Sequence, residues 1–148
     1  MKKILVLLIS LIAVCASFSQ QTGHRITLEM EGYVDTLAYV GHYFGDKLSI
    51  SDTSRVNNGK VVFAGEEPLK QGVYFLVSQN KKKLFEFLVG EDQEFGIRTS
   101  ATGLPEDTRI DGSSENELFY DYLRYNRESY ERIRVLQSAY KQLPPNHD

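Results

Sequence analysis

Between Asp52 and Glu66 the sequence reads DTSRVNNGKVVFAGE, a run that holds a carboxylate, two hydroxyls, an arginine, paired amides and glycines. With His42 upstream, His42, Asp52 and Ser54 supply the residue types of a nucleophilic triad, in which an oriented base activates a hydroxyl. Ser54 lacks the glycine elbow that strains and exposes such a nucleophile, so triad chemistry is not expected. Paired carboxylates at Glu66 and Glu67, or Asp92 and Glu94, have the chemistry of glycosidase acids. They would act only if a cleft set one on each side of a bond. Glu91, Asp92 and Glu94 lack the regular oxygen-ligand loop and closing bidentate glutamate of a calcium site. His24, His42 and His147 stand far apart with no H-x-x-x-H spacing for zinc. Gly41, Gly45, Gly59 and Gly65 fall at turns and bulges, and none opens a phosphate-binding loop onto a helix. The sequence therefore assigns no catalytic, metal or cofactor residue.

The elements that would carry these side chains are short and mostly extended. From Arg25 to Glu31 the residues alternate, with Ile26, Leu28 and Met30 on one face and Arg25, Thr27, Glu29 and Glu31 on the other, which predicts a half-buried strand. TLAYVG forms a second strand, after which GHYFGDK loops into LSIS. Asn58 and Gly59 tolerate the positive φ of a type I′ turn, and KVVFAG alternates after them. The opening run thus reads as a structural hairpin turn, with Asp52, Thr53 and Ser54 on the strand arriving at it. VYFLV, apolar on both faces, predicts a central strand. SQNKKK is a turn whose Lys81, Lys82 and Lys83 read as solvated charges that discourage edge pairing. LFEFLV and EFGIRT follow as strands. The fold class expected is mainly β, an antiparallel sandwich of about seven to nine short strands, followed by a C-terminal helix or helix pair.

At DGSSENELF the hydrophobic period changes from two to 3.6. Ser114 followed by Glu117 predicts a capping box at the start of a helix that Pro144 and Pro145 stop. A helix of about 28 residues would be roughly 42 Å long, longer than the sheets it could cover. It is expected either to break near Asn126 or to place its second half on something outside this domain. Its tyrosines, with interleaved arginines, have the composition of interface anchors. Packing on the domain's own sheet and docking to another domain both account for them. On the docking reading the candidate interface residues are Phe119, Tyr122, Tyr130, Ile133 and Tyr140.

The chain's 148 residues accommodate one domain with one core. Nine tyrosines and eight phenylalanines make that core aromatic-rich, and 41% hydrophobic with 25% charged residues describes a globular protein. A net charge of -3 gives no electrostatic basis for nucleic-acid binding. Lys2 and Lys3 precede an apolar run from Ile4 to Val14, too short to span a bilayer and shaped as a secretory leader. Ser17 and Ser19 place cleavage after Ser19, giving a leader at 1–19, a β-sandwich domain at 20–112, a helical linker or docking segment at 113–143 and a tail at 144–148. The mature chain is expected in the periplasm or cell envelope, without a membrane span. Cys15 is the sole cysteine. Lipoprotein processing at Cys15 needs a small residue before it, and Val14 stands there. Once the leader is removed no thiol is left for redox chemistry.

The order of these pieces, ISDTSRVNNGKVVFAG, YFLV, FEFLVGEDQEFGI and IDGSSENELFYDY, resembles the uncharacterised amino-terminal domain that precedes the thioredoxin-like domain in envelope thiol-disulfide oxidoreductases of the TlpA/ResA and AhpC/TSA type. The resemblance runs from about Arg25 to Tyr125. It rests on Asp52, Asn58, Gly59, Lys60, Phe63 and Gly65, and on Gly112, Ser113 and Asn116, with Val61 where that family usually has phenylalanine. It implies an accessory domain, not an enzyme, with a thioredoxin-like domain or a second subunit as partner, in a chain expected to be a fragment or truncated product. A freestanding secreted module that binds a glycan, peptide or protein is the alternative expectation.

Overall fold

The computed structural model describes residues 23–143 apart from Asp46. The leader, Cys15 and the tail lie outside the described residues. Eight strands form two four-stranded sheets: β1 (His24–Glu31), β2 (Leu37–Phe44), β3 (Lys47–Arg55), β4 (Lys60–Gly65), β5 (Gly72–Ser78), β6 (Lys83–Val89), β7 (Glu94–Ser100) and β8 (Arg109–Asp111). The first sheet has the order β4-β1-β7-β8 and the second β3-β2-β5-β6. One helix among the described residues, α1 (Ser114–Lys141), follows.

The alternation in β1 puts Ile26, Leu28 and Met30 in the interior. Ile26 lies level with Phe63 of β4 and Phe95 of β7, and Leu28 with Val61 and Ile97. From the second sheet Ala38, Val40, Tyr74, Leu76, Phe85 and Phe87 join the same buried cluster, so the two sheets share one core. Phe87 sits at its centre, near Tyr74, Phe85 and Phe95 with ring centroids 6.0 to 6.4 Å apart. β5, between β2 and β6, is buried on both faces as its sequence predicts. Phe75 on its outer side lies over Gly41, under the ring of Tyr43.

Four expectations are corrected. The pairing is not wholly antiparallel, because β1 and β7 run parallel. Parallel neighbours need a long connection, and here the whole second sheet together with β4 makes that connection. GHYF is not a loop but the second half of β2. The Asn58–Gly59 turn forms, with φ of 50° and 73° and reciprocal bonds between Asn57 and Lys60, yet it does not close a hairpin. β3 belongs to the second sheet and β4 to the first, so this turn carries the chain from one sheet to the other. Its Gly59 carbonyl accepts the Met30 amide at 2.8 Å, which fastens the crossover to the end of β1. At the helix start the cap is Ser113 rather than Ser114. Ser113 is extended and its hydroxyl accepts the Asn116 amide, while the Ser114 amide turns to the Asp92 carboxylate. The helix is continuous through Asn126.

Candidate functional site

The chemistry-bearing residues of the β-domain are not assembled. His42 Nδ1 lies 2.6 Å from the Ser51 hydroxyl, the Ser54 hydroxyl donates to the Val62 carbonyl at 2.8 Å, and Asp52 accepts the amide of Thr53. Ser54 pairs with Ala38, four residues from His42 along β2, so Ser51 and not Ser54 meets the histidine. His24 bonds the Glu67 carbonyl. Lys81 lies 3.2 Å from the centroid of the Tyr39 ring, and Lys83 donates to Glu86 and to the Tyr43 hydroxyl. Those bonds hold the Glu86 carboxyl below its ordinary range and raise Lys83. The lysine run therefore ties the β5–β6 turn to its sheet. Among the described residues no three His, Cys, Asp or Glu side chains are grouped to hold a metal ion.

Gly112, Ser113 and Asn116 do come together. Gly112, at φ 88°, turns the chain out of β8 into the helix. β6 is an outer strand of its sheet, whose free backbone groups need partners. Asn116, 0% exposed, supplies them as another strand would: its Oδ1 accepts the Leu88 amide and its Nδ2 donates to the Leu88 carbonyl, both at 2.7 Å. The same Nδ2 reaches the Ser113 hydroxyl at 2.9 Å. One turn later the Tyr120 hydroxyl donates to the Glu86 carbonyl at 2.7 Å. Burial raises the Tyr120 phenol above its usual range. This spacing of four residues places both groups on one face of the helix. Sequence reasoning grouped Tyr120 with the surplus tyrosines of the helix; only the position of β6 marks it as an anchor.

The candidate interface residues are divided by this anchor. Phe119 is half-buried against the core, edge-on to Tyr120, and Leu123 packs beside it. Tyr122, Tyr130 and Tyr140 are 58%, 69% and 75% exposed, and Ile133 is exposed with Val135 and Leu136. From Glu131 onward every described helix residue is exposed. On the side turned to the β-domain, the β7–β8 loop at Pro105 and Glu106 and the helix residues Leu123, Arg127, Tyr130 and Arg134 line a groove of about 610 Å3. Arg127 spans it through an ion pair with Glu106. Past Leu123 the helix carries Arg124, Arg127, Arg132, Arg134 and Lys141 against Glu128 and Glu131, a surplus of cations. No helix among the described residues is long and apolar enough to cross a membrane.

A family model described as "Domain of unknown function (DUF4369)" matches residues 24–119, which takes in both sheets and the Ser113–Asn116 junction. No curated protein matches the chain.

Proposed function

The chain belongs to DUF4369, a domain of unknown function, and on the resemblance carried by its Asp52–Gly65 and Gly112–Asn116 motifs we propose that it is a non-catalytic accessory domain of a thioredoxin-like thiol-disulfide oxidoreductase in the cell envelope. Its two sheets pack as a sandwich, and the helical segment after residue 112 docks the redox domain or a second subunit. The leader read over residues 1–19 places it in the periplasm. Redox chemistry falls to the partner, since the sole cysteine, Cys15, lies in that leader.

The observation that carries this reading is the division of α1 into an anchored start and a free remainder. Asn116 and Tyr120 bind the first turns to β6, while Tyr130, Ile133 and Tyr140 stand uncovered. Exposed aromatic and aliphatic side chains on a rigidly held element suit recognition, because little side-chain freedom is lost when they are covered. The test is calorimetric titration of the protein with a thioredoxin-like domain. Binding is expected, weakened about tenfold or more, equivalent to ~1.4 kcal/mol, by Tyr130→Asp and unaffected by Asp52→Ala. The protein alone should leave insulin disulfides unreduced. Absence of binding, or binding indifferent to Tyr130, would refute docking of the redox domain.

The groove beside Arg127 favours a second reading, a freestanding module for a glycan, peptide or protein, since its volume lies within the roughly 300–1,000 Å3 of ligand sites. That reading expects a ligand whose binding is lost in Arg127→Ala and retained in Tyr140→Asp.

A further inference from the structure

We propose that α1 pairs in parallel and in register with α1 of a second copy of this chain. This rests on the docking reading above and names its partner. Beyond the anchor, Asn126, Ser129, Ile133, Leu136 and Tyr140 recur at alternating steps of three and four residues, and the same steps reach back to Tyr122. That is a 3.5-residue period, the seam of a two-helix supercoil. At 3.6 residues per turn the seam lies roughly 140° around the helix from Asn116 and Tyr120, so two β-domains held by such a pair point to opposite sides and do not collide. Over the 19 residues from Tyr122 to Tyr140, all within α1, it runs for roughly 28 Å. Tyr122, Ile133, Leu136 and Tyr140 on it are all exposed, an apolar stripe of a kind that marks an interaction surface.

Three features select a second copy as the occupant. Ile133 takes an a position and Leu136 a d position, the choice of branched side chains that favours two parallel strands. Asn126 is a single polar residue at an a position, which in a parallel pair meets its own counterpart and fixes register. Charge is sorted away from the seam: one flanking row holds Leu123, Tyr130 and Gln137, and the other Tyr125, Arg132 and Ala139. Arg132 alone is charged there, and the row it faces in a parallel pair has no cation, so identical helices meet without repulsion. An acidic partner would instead seek Arg124, Arg127, Arg134 and Lys141, which lie on the other faces of the helix. The seam therefore reads apolar shape and a matching asparagine, as a copy of itself provides.

Sedimentation equilibrium tests the pairing. The protein should show twice the mass of one chain, and Leu136→Asp should halve that mass while leaving the melting temperature of the β-domain in place, because Leu136 touches no sheet. In a Cys15→Ala background, Asn126→Cys should oxidise readily to a disulfide-linked dimer, since only parallel in-register helices bring the two positions within disulfide reach. A single-chain mass at all concentrations overturns the proposal, as does a dimer indifferent to Leu136→Asp. A dimer that does not cross-link at position 126 overturns the parallel register. A single-chain protein that still binds a thioredoxin-like domain sinks the pairing and spares the docking reading. A dimer blind to that domain supports the pairing and sinks the redox partnership.

Discussion

Replacing Asn116 by leucine probes the junction on which the position of the helix depends. Leucine has nearly the same shape but no amide, so the Leu88 amide and carbonyl both lose their partners, and the Ser113 hydroxyl loses one of its own. Leaving a buried backbone group unmatched costs about 1–3 kcal/mol, so the two Leu88 groups together cost roughly 2–6 kcal/mol. Burial of the leucine side chain offsets roughly 1–2 kcal/mol of that, leaving a net loss of roughly 1–4 kcal/mol, centred on ~2.5 kcal/mol. Against a total stability of about 5–15 kcal/mol this is severe. Tyr120→Phe, which removes one bond to the Glu86 carbonyl, should cost only about 1 kcal/mol. Urea unfolding followed by circular dichroism suits a protein with no tryptophan. With a slope of about 1–3 kcal/mol/M, the Asn116→Leu midpoint should fall by about 1–2 M. Hydrogen exchange localises the loss, because the Leu88 amide should lose its protection while the amides of β5 keep theirs. A midpoint shift no larger than that of Tyr120→Phe, or an unchanged Leu88 amide, would refute the assignment of Asn116 as the substitute strand for β6.

Gly59→Ala should destabilise by more than about 1 kcal/mol, since a Cβ there would meet the Met30 carbonyl at a φ of 73°; Asn58→Gly should be nearly neutral, and thermal melts of the two variants separate the effects. The Asp107 carboxyl is held below its ordinary range by hydrogen bonds from Ser100 and then Thr99. Its folded pKa being lowered, this contribution is present above the unfolded value near 4 and is lost as pH falls through the folded one. Ser100→Ala should therefore flatten the acid limb of stability below about pH 4, and an unchanged acid limb would exclude that role. Burial raises the Tyr120 phenol, so its contribution is complete below the unfolded value near 10 and is lost as pH rises above it. Tyrosinate absorbance should accordingly show Tyr120 titrating late, together with Tyr33 and Tyr74, whose phenols burial also raises, and Tyr120→Phe should reduce that late component by one tyrosine.

The sequence by itself determined what a few neighbouring residues settle between them. The alternation of Ile26, Leu28 and Met30 fixes which face of β1 is buried, and Asn58 with Gly59 fixes a turn with positive φ. The change of period after Gly112 fixes a helix. Each is a preference of local dihedrals or of side chains two to four residues apart, so it is written wherever those residues stand. Tertiary structure decided what depends on partners distant in the chain. The turn at Asn58 looks the same whether it closes a hairpin or crosses between sheets, and only the free edge of β1 decides that β4 pairs there and not with β3. The parallel pairing of β1 with β7 joins strands separated in the chain by β2 to β6, so no local pattern specifies it. Asn116 and Tyr120 were legible as helix residues, but their function as anchors needs the unpaired backbone of Leu88 and Glu86, 28 and 34 residues away. For the same reason the apolar residues of α1 could be read from their spacing, while which of them the β-domain covers was settled only by where β6 ends its sheet.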